Sequence, residues 1–291
     1  MSKPHFARSF NREEDAILII TINDDFDLQK IAHCGQCFRA KEIFGGIYRF
    51  ITGTRVIYIS NRTRNQFEIS CDEDEWSSVW TTYFDLDTNY RALRAEIAGV
   101  NDYINSAAEF GSGIRILRQE PFETLISFII SQRKSIPSIT TSVERIAERF
   151  GRAVETERGT VHLFPTVDEL KSATLDQLSG LGLGYRKSYI LDALNKISSG
   201  ELDLDALSNV DDDTLLERLK SIRGVGDKVA NCVALFAYHR VDRVPIDVWI
   251  ARAIDEDFHG KNVFLDINHN AGIAQQYVFY LKKFQPKVVS E

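Results

Sequence analysis

Near the C-terminal end of this sequence an amine and a carboxylate are placed as a reactive pair could be. Lys228 closes the run Ile222-Arg-Gly-Val-Gly-Asp-Lys, and Asp247 follows nineteen residues later in Val244-Pro-Ile-Asp. A lysine amine displaces a leaving group at an electrophilic carbon, and goes on to a Schiff base, only when it is neutral. With an ordinary pKa near 10.4, about one lysine in a few thousand is neutral at pH 7. In the first turn of a helix Lys228 would feel the positive dipole end, which favours the neutral form by about 0.3–1 kcal/mol, under one pKa unit. Asp247, if close, pushes the other way, so desolvation on closing over a substrate must supply most of the fall. The carboxylate would stabilise positive charge developing at the reacting carbon and orient the amine. A plainer role is open to Asp247 alone: two residues after Pro245, it stands where the N-cap of a helix from Val248 to Ile254 is expected.

The elements around the pair follow from pattern. Leu219 to Leu235 reads as a helix, a tight turn at Gly224, Val225 and Gly226, and a second helix. The glycines permit the turn and a close backbone approach. The free N–H groups and positive dipole end of the second helix make a phosphate site that needs no side chain. An αα-hairpin with a glycine corner accounts for the same residues structurally.

Up to about residue 90 the texture is β-rich, with runs at Ala16 to Ile22, Ile47 to Thr52 and Arg55 to Ser60. Near residue 92 the period changes. Phe122, Leu125, Ile126, Ile129 and Ile130 are spaced for an amphipathic helix, and Ile136, Ile139, Val143 and Ile146 continue it. Gly151 to Pro165 is expected as a loop. Thr166-Val-Asp-Glu and Thr174-Leu-Asp-Gln both carry capping-box grammar, predicting two short helices.

Composition is that of an ordinary soluble globular chain of 291 residues, 44% hydrophobic and 26% charged, long enough for two or three lobes. The net charge of −7 argues mildly against a nucleic-acid partner, yet Glu217 to Arg252 holds seven basic residues against four acidic ones. Acid gathers elsewhere, as at Asp72 to Glu75. No basic head precedes an apolar run and no window approaches the roughly 18 apolar residues of a membrane span, so an intracellular protein is expected. The four cysteines, Cys34, Cys37, Cys71 and Cys232, suggest reduced thiols. Cys34 and Cys37 have C-x-x-C spacing without a second pair to complete a zinc site, and the plain reading is two small buried side chains in a turn.

Lys228 and Asp247, taken with the hairpin before them, resemble the helix-hairpin-helix DNA glycosylases. In that family the lysine marks bifunctional members, which combine base removal with strand nicking, and the aspartate is the catalytic carboxylate. Further stretches are similar to the 8-oxoguanine DNA glycosylase branch. Gly35-Gln36-Cys37-Phe38-Arg39 looks like its Gly-Gln-x-Phe-Arg, where the glycine carbonyl accepts the N7 hydrogen that 8-oxoguanine has and guanine lacks. A guanine lone pair facing that oxygen would be repelled. Cys232 stands one turn after Lys228 on the same face. Phe279 matches an aromatic that stacks on the flipped base, and Gln275 a residue that hydrogen-bonds its Watson–Crick edge. Leu181-Gly-Leu-Gly-Tyr-Arg186 resembles a stretch whose tyrosine, here Tyr185 beside Arg186, wedges by the estranged base.

The resemblance implies an α+β fold: an N-terminal antiparallel β-sheet domain over residues 1–110 and a helical glycosylase region over 111–291. The hairpin falls near 215–235, and the last helix is free to pack back on the N-terminal domain. It further implies a monomeric enzyme of the nucleoid or nucleus acting on duplex DNA containing 8-oxoguanine. No metal or organic cofactor is expected for the chemistry, and the hairpin carbonyls are a candidate seat for a monovalent cation. Ser127-Phe-Ile-Ile-Ser-Gln132 aligns with the branch, but Arg133-Lys134-Ser135 stands where animal and fungal members carry an asparagine run. Ser138 stands where those members carry an arginine, so reading of the opposite base is expected to be less strict, and Trp249 takes a position, two residues after the aspartate, that histidine often holds. Arg133 and Lys134 are candidates to touch DNA. No cysteine follows Cys232 to build the iron–sulfur cluster of the adenine and pyrimidine branches. The alternatives are an alkylated-base glycosylase, whose members generally lack the lysine, and a non-catalytic hairpin module that would bind DNA without a covalent intermediate.

Overall fold

The alternating apolar positions of the first quarter of the chain build a five-stranded sheet. In the computed structural model, which describes residues 18–267 and 269–285, β1 (Leu18–Thr21) precedes a short helix α1 (Leu28–His33). β2 (Lys41–Phe44), β3 (Ile47–Thr52), β4 (Arg55–Asn61) and β5 (Gln66–Ile69) follow. Every neighbour is antiparallel, in the order β1-β5-β4-β3-β2. Residues Ala16 and Ile17 of the expected first strand lie outside the described residues. Register places Phe50 opposite Ile57 and Tyr48 opposite Ile59, all buried. This face packs on Trp76, Trp80 and Phe84 from helical turns over residues 73–84.

A second, larger core is helical. It is built from α2 (Tyr90–Ile97), α3 (Asp102–Phe110), α4 (Pro121–Ser131) and α5 (Ile136–Phe150). Tyr90, Ile97 and Ile104, which the sequence placed with the sheet domain, contribute to this helical core. Helix α4 is buried nearly all round, as a helix apolar on every face must be.

The stretch from Gly151 to Pro165 is not the expected loop. β6 (Ala153–Thr156) and β7 (Gly159–His162) pair as a hairpin, with Val154 opposite Val161 and Gly159 at φ +102° after the turn. Of the two predicted capping boxes, Thr166 and Glu169 close theirs at the head of α6 (Val167–Leu170). Thr174 and Gln177 exchange the same two bonds, at 2.9 and 3.2 Å, but cap a turn rather than a helix.

Then come α7 (Lys187–Ser198), α8 (Asp212–Lys220), α9 (Asp227–Phe236), α10 (Val248–Arg252) and α11 (Ala271–Phe284). Helices α8 and α9 are the predicted pair. Between them Gly224 sits at φ +81°, and a Cβ there would lie 2.3 Å from the Tyr189 ring, so both conformation and space demand glycine.

Two groups tie sheet to helices. Arg115, fully buried, donates to the Phe84, Asp25, Asp85 and Thr88 carbonyls and to the Asp24 carboxylate. Gln36, also fully buried, donates to the Arg115 carbonyl at 2.7 Å and accepts from the Leu117 amide at 2.8 Å. Finally α11 returns against α3, and Gln276 donates to the Cys34 carbonyl at 2.6 Å. Among the described residues, no helix is long and apolar enough to cross a membrane.

Candidate active site

Lys228 is positioned by two helices. The Gly224–Gly226 corner starts α9, buried Val225 anchors the corner, and Lys228 falls in the first turn. Its Nζ donates to Ser131 Oγ at 3.2 Å, at the last residue of α4, and lies 5.1 Å from the centre of the Phe128 ring. Gly226 gives α9 no side-chain cap, so the first amides of the helix remain available to an anion.

Asp247 is the N-cap of α10, as predicted. Its Oδ1 accepts the Trp249 and Ile250 amides, both at 2.9 Å. Burial pushes its carboxyl above the usual aspartate range, against the pull of those amides and of the Lys228 and Lys283 ammoniums. Cys232, one turn beyond Lys228, is fully buried, and burial raises its thiol to about 11 despite the lysine beside it. It is a neutral wall of the site rather than a nucleophile.

A cleft of about 660 Å³ brings Lys228, Asp247 and Cys232 together with Gly35, Gln275 and Phe279. That volume suits a flipped nucleotide. Gly35 is held at φ +83° with Ile136 and Phe279 so near that an added Cβ would lie 3.0 and 3.1 Å from them. The carbonyls on either side of it are occupied: Cys34 O by Gln276, Gln36 O by Gln119 at 2.9 Å. Among the described residues no hydrogen bond ends on the Gly35 carbonyl. Gln275 is 3% exposed, and its Oε1 has no hydrogen-bond partner among the described residues. An unpaired buried acceptor costs about 1–3 kcal/mol, which a bound donor would return.

Tyr185 and the hairpin corner stand apart from this cleft. Tyr185 is half exposed, with its ring 4.5 Å from the Arg186 guanidinium. Arg186, a predicted DNA contact, is instead buried and donates to the Gln132 and Leu183 carbonyls, so its donors face the protein. Lys134 lines the cleft but is committed in the same way, to Ser142 Oγ at 2.6 Å and Gly182 O at 2.9 Å. Arg133 is exposed on the lip of the cleft at φ +52°. Part of the basic excess around the hairpin is likewise paired: Lys220 with Asp227 on the surface, and the half-buried Arg240 and Arg243 with Asp212.

Sequence reasoning missed three participants. Ser131, the partner of Lys228, appeared only within an aligned stretch. Gln276, which fixes the Gly35 turn, was overshadowed by its neighbour Gln275. Lys283 lines the cleft one helical turn after Phe279, and that i, i+4 spacing was the signal available.

Comparison with known proteins agrees with this geometry. Residues 18–125 match the family model described as 8-oxoguanine DNA glycosylase, N-terminal domain. A Saccharomyces cerevisiae N-glycosylase/DNA lyase is 36% identical over 226 residues, 71% of this chain and 57% of that protein. The chain spans about three fifths of the length of the curated relatives it matches first. The apo crystal structure of Clostridium acetobutylicum 8-oxoguanine glycosylase/lyase superimposes with a TM-score of 0.85 at 33% identity, covering 90% of this chain and 95% of that one. The same Clostridium protein in complex with double-stranded DNA containing cytosine opposite 8-oxoG gives 0.84 at 32%, covering 92% and 98%.

Proposed function

This chain belongs to the 8-oxoguanine DNA glycosylase family, and from that premise we propose that it excises 8-oxoguanine from duplex DNA and nicks the strand afterwards. The observation that carries the reading is one cleft holding the Lys228 amine, the Asp247 carboxylate and the unengaged Gly35 carbonyl. In the first step the Lys228 lone pair forms the Nζ–C1′ bond as the glycosidic bond breaks. The base leaves with the electron pair of the broken glycosidic bond and takes up the proton that the amine sheds. Asp247 offsets the positive charge developing on the sugar. Breaking C1′–O4′, with a proton to O4′, then gives the Schiff base. Loss of a C2′ proton expels the 3′ phosphate. The flipped base would lie on Phe279, with its N7 hydrogen toward the Gly35 carbonyl and its edge toward Gln275. Tyr185 would fill the gap left in the stack, Arg133 would reach the DNA at the cleft lip, and the Gly226 end of α9 would hold a backbone phosphate. The chemistry runs on side chains and calls for no metal.

Incubation with an 8-oxoguanine duplex and borohydride should trap a covalent complex, and an undamaged duplex should not. A folded protein that binds the duplex but neither traps nor cleaves it is a binding module, and the enzymatic reading falls. Comparing excision against each of the four opposing bases tests the Ser138 and Arg133 departures: a spread under about tenfold is expected where the discriminating contacts are absent.

Gly35→Ala separates base reading from nicking. The added methyl crowds Ile136 and Phe279, and the left-handed backbone disfavours it by about 1–2 kcal/mol. Excision of 8-oxoguanine should fall at least about tenfold, while nicking of a duplex already lacking the base is retained. Equal losses in both assays would remove Gly35 from the base pocket.

A further inference from the structure

Asp247 faces not one lysine but two. Lys283, on α11, lines the same cleft as Lys228 and Asp247. Its ammonium rests against aromatic faces, 5.4 Å from the Phe279 ring centre and 4.6 Å from that of Phe284. Such contacts hold a cation in place where burial would otherwise discharge it. Neither the Lys283 Nζ nor the second aspartate oxygen, Oδ2, which the cap leaves unused, has a hydrogen-bonded partner among the described residues.

The reaction proposed above sets the two lysines different tasks. Lys228 must be uncharged to attack, yet at that moment Asp247 must carry its negative charge in a site whose burial opposes it. If Lys228 were the only cation near it, its discharge would leave the carboxylate unbalanced as positive charge begins to develop on the sugar. We propose, resting on that functional reading, that Lys283 is a positioning residue: the ammonium that balances Asp247 while Lys228 is neutral.

The charged and titratable groups around the pair are few. Asp247 is faced by Lys228 and Cys232 of α9 and Lys283 of α11. Arg133 and Lys134 line the cleft beyond α4, and on α10 Arg252 lies over the Trp249 ring at 5.5 Å. Lys283 is pushed down by burial and drawn up by Asp247 and Cys34. Removing its charge therefore raises the pH at which Asp247 takes up a proton.

The test is the pH profile of single-turnover excision for the parent chain, Lys283→Met and Lys283→Arg. Activity needs the carboxylate, so it falls as pH drops through the Asp247 pKa. In Lys283→Met that acidic limb should move to higher pH, so that the rate at a pH on the limb, taken relative to the rate the same variant reaches above it, falls by about tenfold against the parent. Lys283→Arg should restore the limb. The ratio of rates at two pH values within one variant is unaffected by a misfolded fraction. An unmoved limb overturns the inference, and so does a loss equal at every pH that tracks weaker duplex binding, which would make Lys283 a phosphate contact. A parent chain that shows no excision at all would instead unseat the functional reading.

Discussion

Lys228→Gln should abolish borohydride trapping and lower excision by on the order of 10⁴-fold or more, as loss of a nucleophile does. The fold should not notice. Lys228 is half-buried and its hydrogen bond to Ser131 is a 3.2 Å contact that a glutamine amide can replace, so stability should change by less than about 1 kcal/mol. Affinity for an 8-oxoguanine duplex should survive, because the phosphate site proposed at Gly226 and the base pocket proposed at Gly35 and Phe279 are untouched. Two other lysines line the cleft, Lys134 and Lys283. Undiminished trapping in the variant would move the nucleophile to one of them, and peptide mapping of the adduct would say which. Lys134 is already bound to Ser142 and Gly182, which makes it the poorer candidate.

The positions of Lys228 and Asp247 were legible in the sequence because each depends on local grammar. A glycine corner places Lys228 in the first turn of its helix, and a proline two residues upstream marks Asp247 as a cap. Family likeness gathered Gly35, Gln275 and Phe279, and periodicity alone could not have done so: Gly35 and Phe279 are 244 positions apart and meet because α11 returns to the sheet domain. What stayed hidden was side-chain commitment. Arg186 and Lys134 are charges on paper, but both donate to backbone carbonyls of the protein itself, the buried Arg186 to Gln132 and Leu183 and Lys134 to Gly182 at the surface, and no sequence pattern announces that. Strand β2 was missed because all four of its residues are exposed, which erases alternation. The β6–β7 hairpin was missed because only Val154 and Val161 carry its apolar signal among polar neighbours. Lys283 was passed over for a related reason: a lysine in the last turn of a helix reads as a solvated charge on the dipole's negative end.

Asp247→Asn should lower single-turnover excision by about 10²–10³-fold while leaving the fold and duplex binding intact. The substitution separates the two roles of this residue. As a cap, Asp247 needs only an oxygen that accepts the Trp249 and Ile250 amides, and asparagine serves as well as aspartate there. As a charge, it must offset the cation forming on the sugar, which a neutral amide cannot do. Asp247→Ala loses both and should melt lower, by about 1 kcal/mol of lost capping, with a rate no worse than that of the asparagine variant. The pH dependence carries a further distinction. Burial lifts the Asp247 carboxyl above its ordinary range, so the parent loses activity as pH falls through that raised pKa. The asparagine variant has no carboxyl to protonate, so its low rate should lack the added fall that Asp247 protonation brings, keeping only the pH dependence set by the need for a neutral Lys228. If its rate equals the parent's at every pH, Asp247 is a helix cap only, and the charge opposite Lys228 and Lys283 has to be sought elsewhere in the cleft.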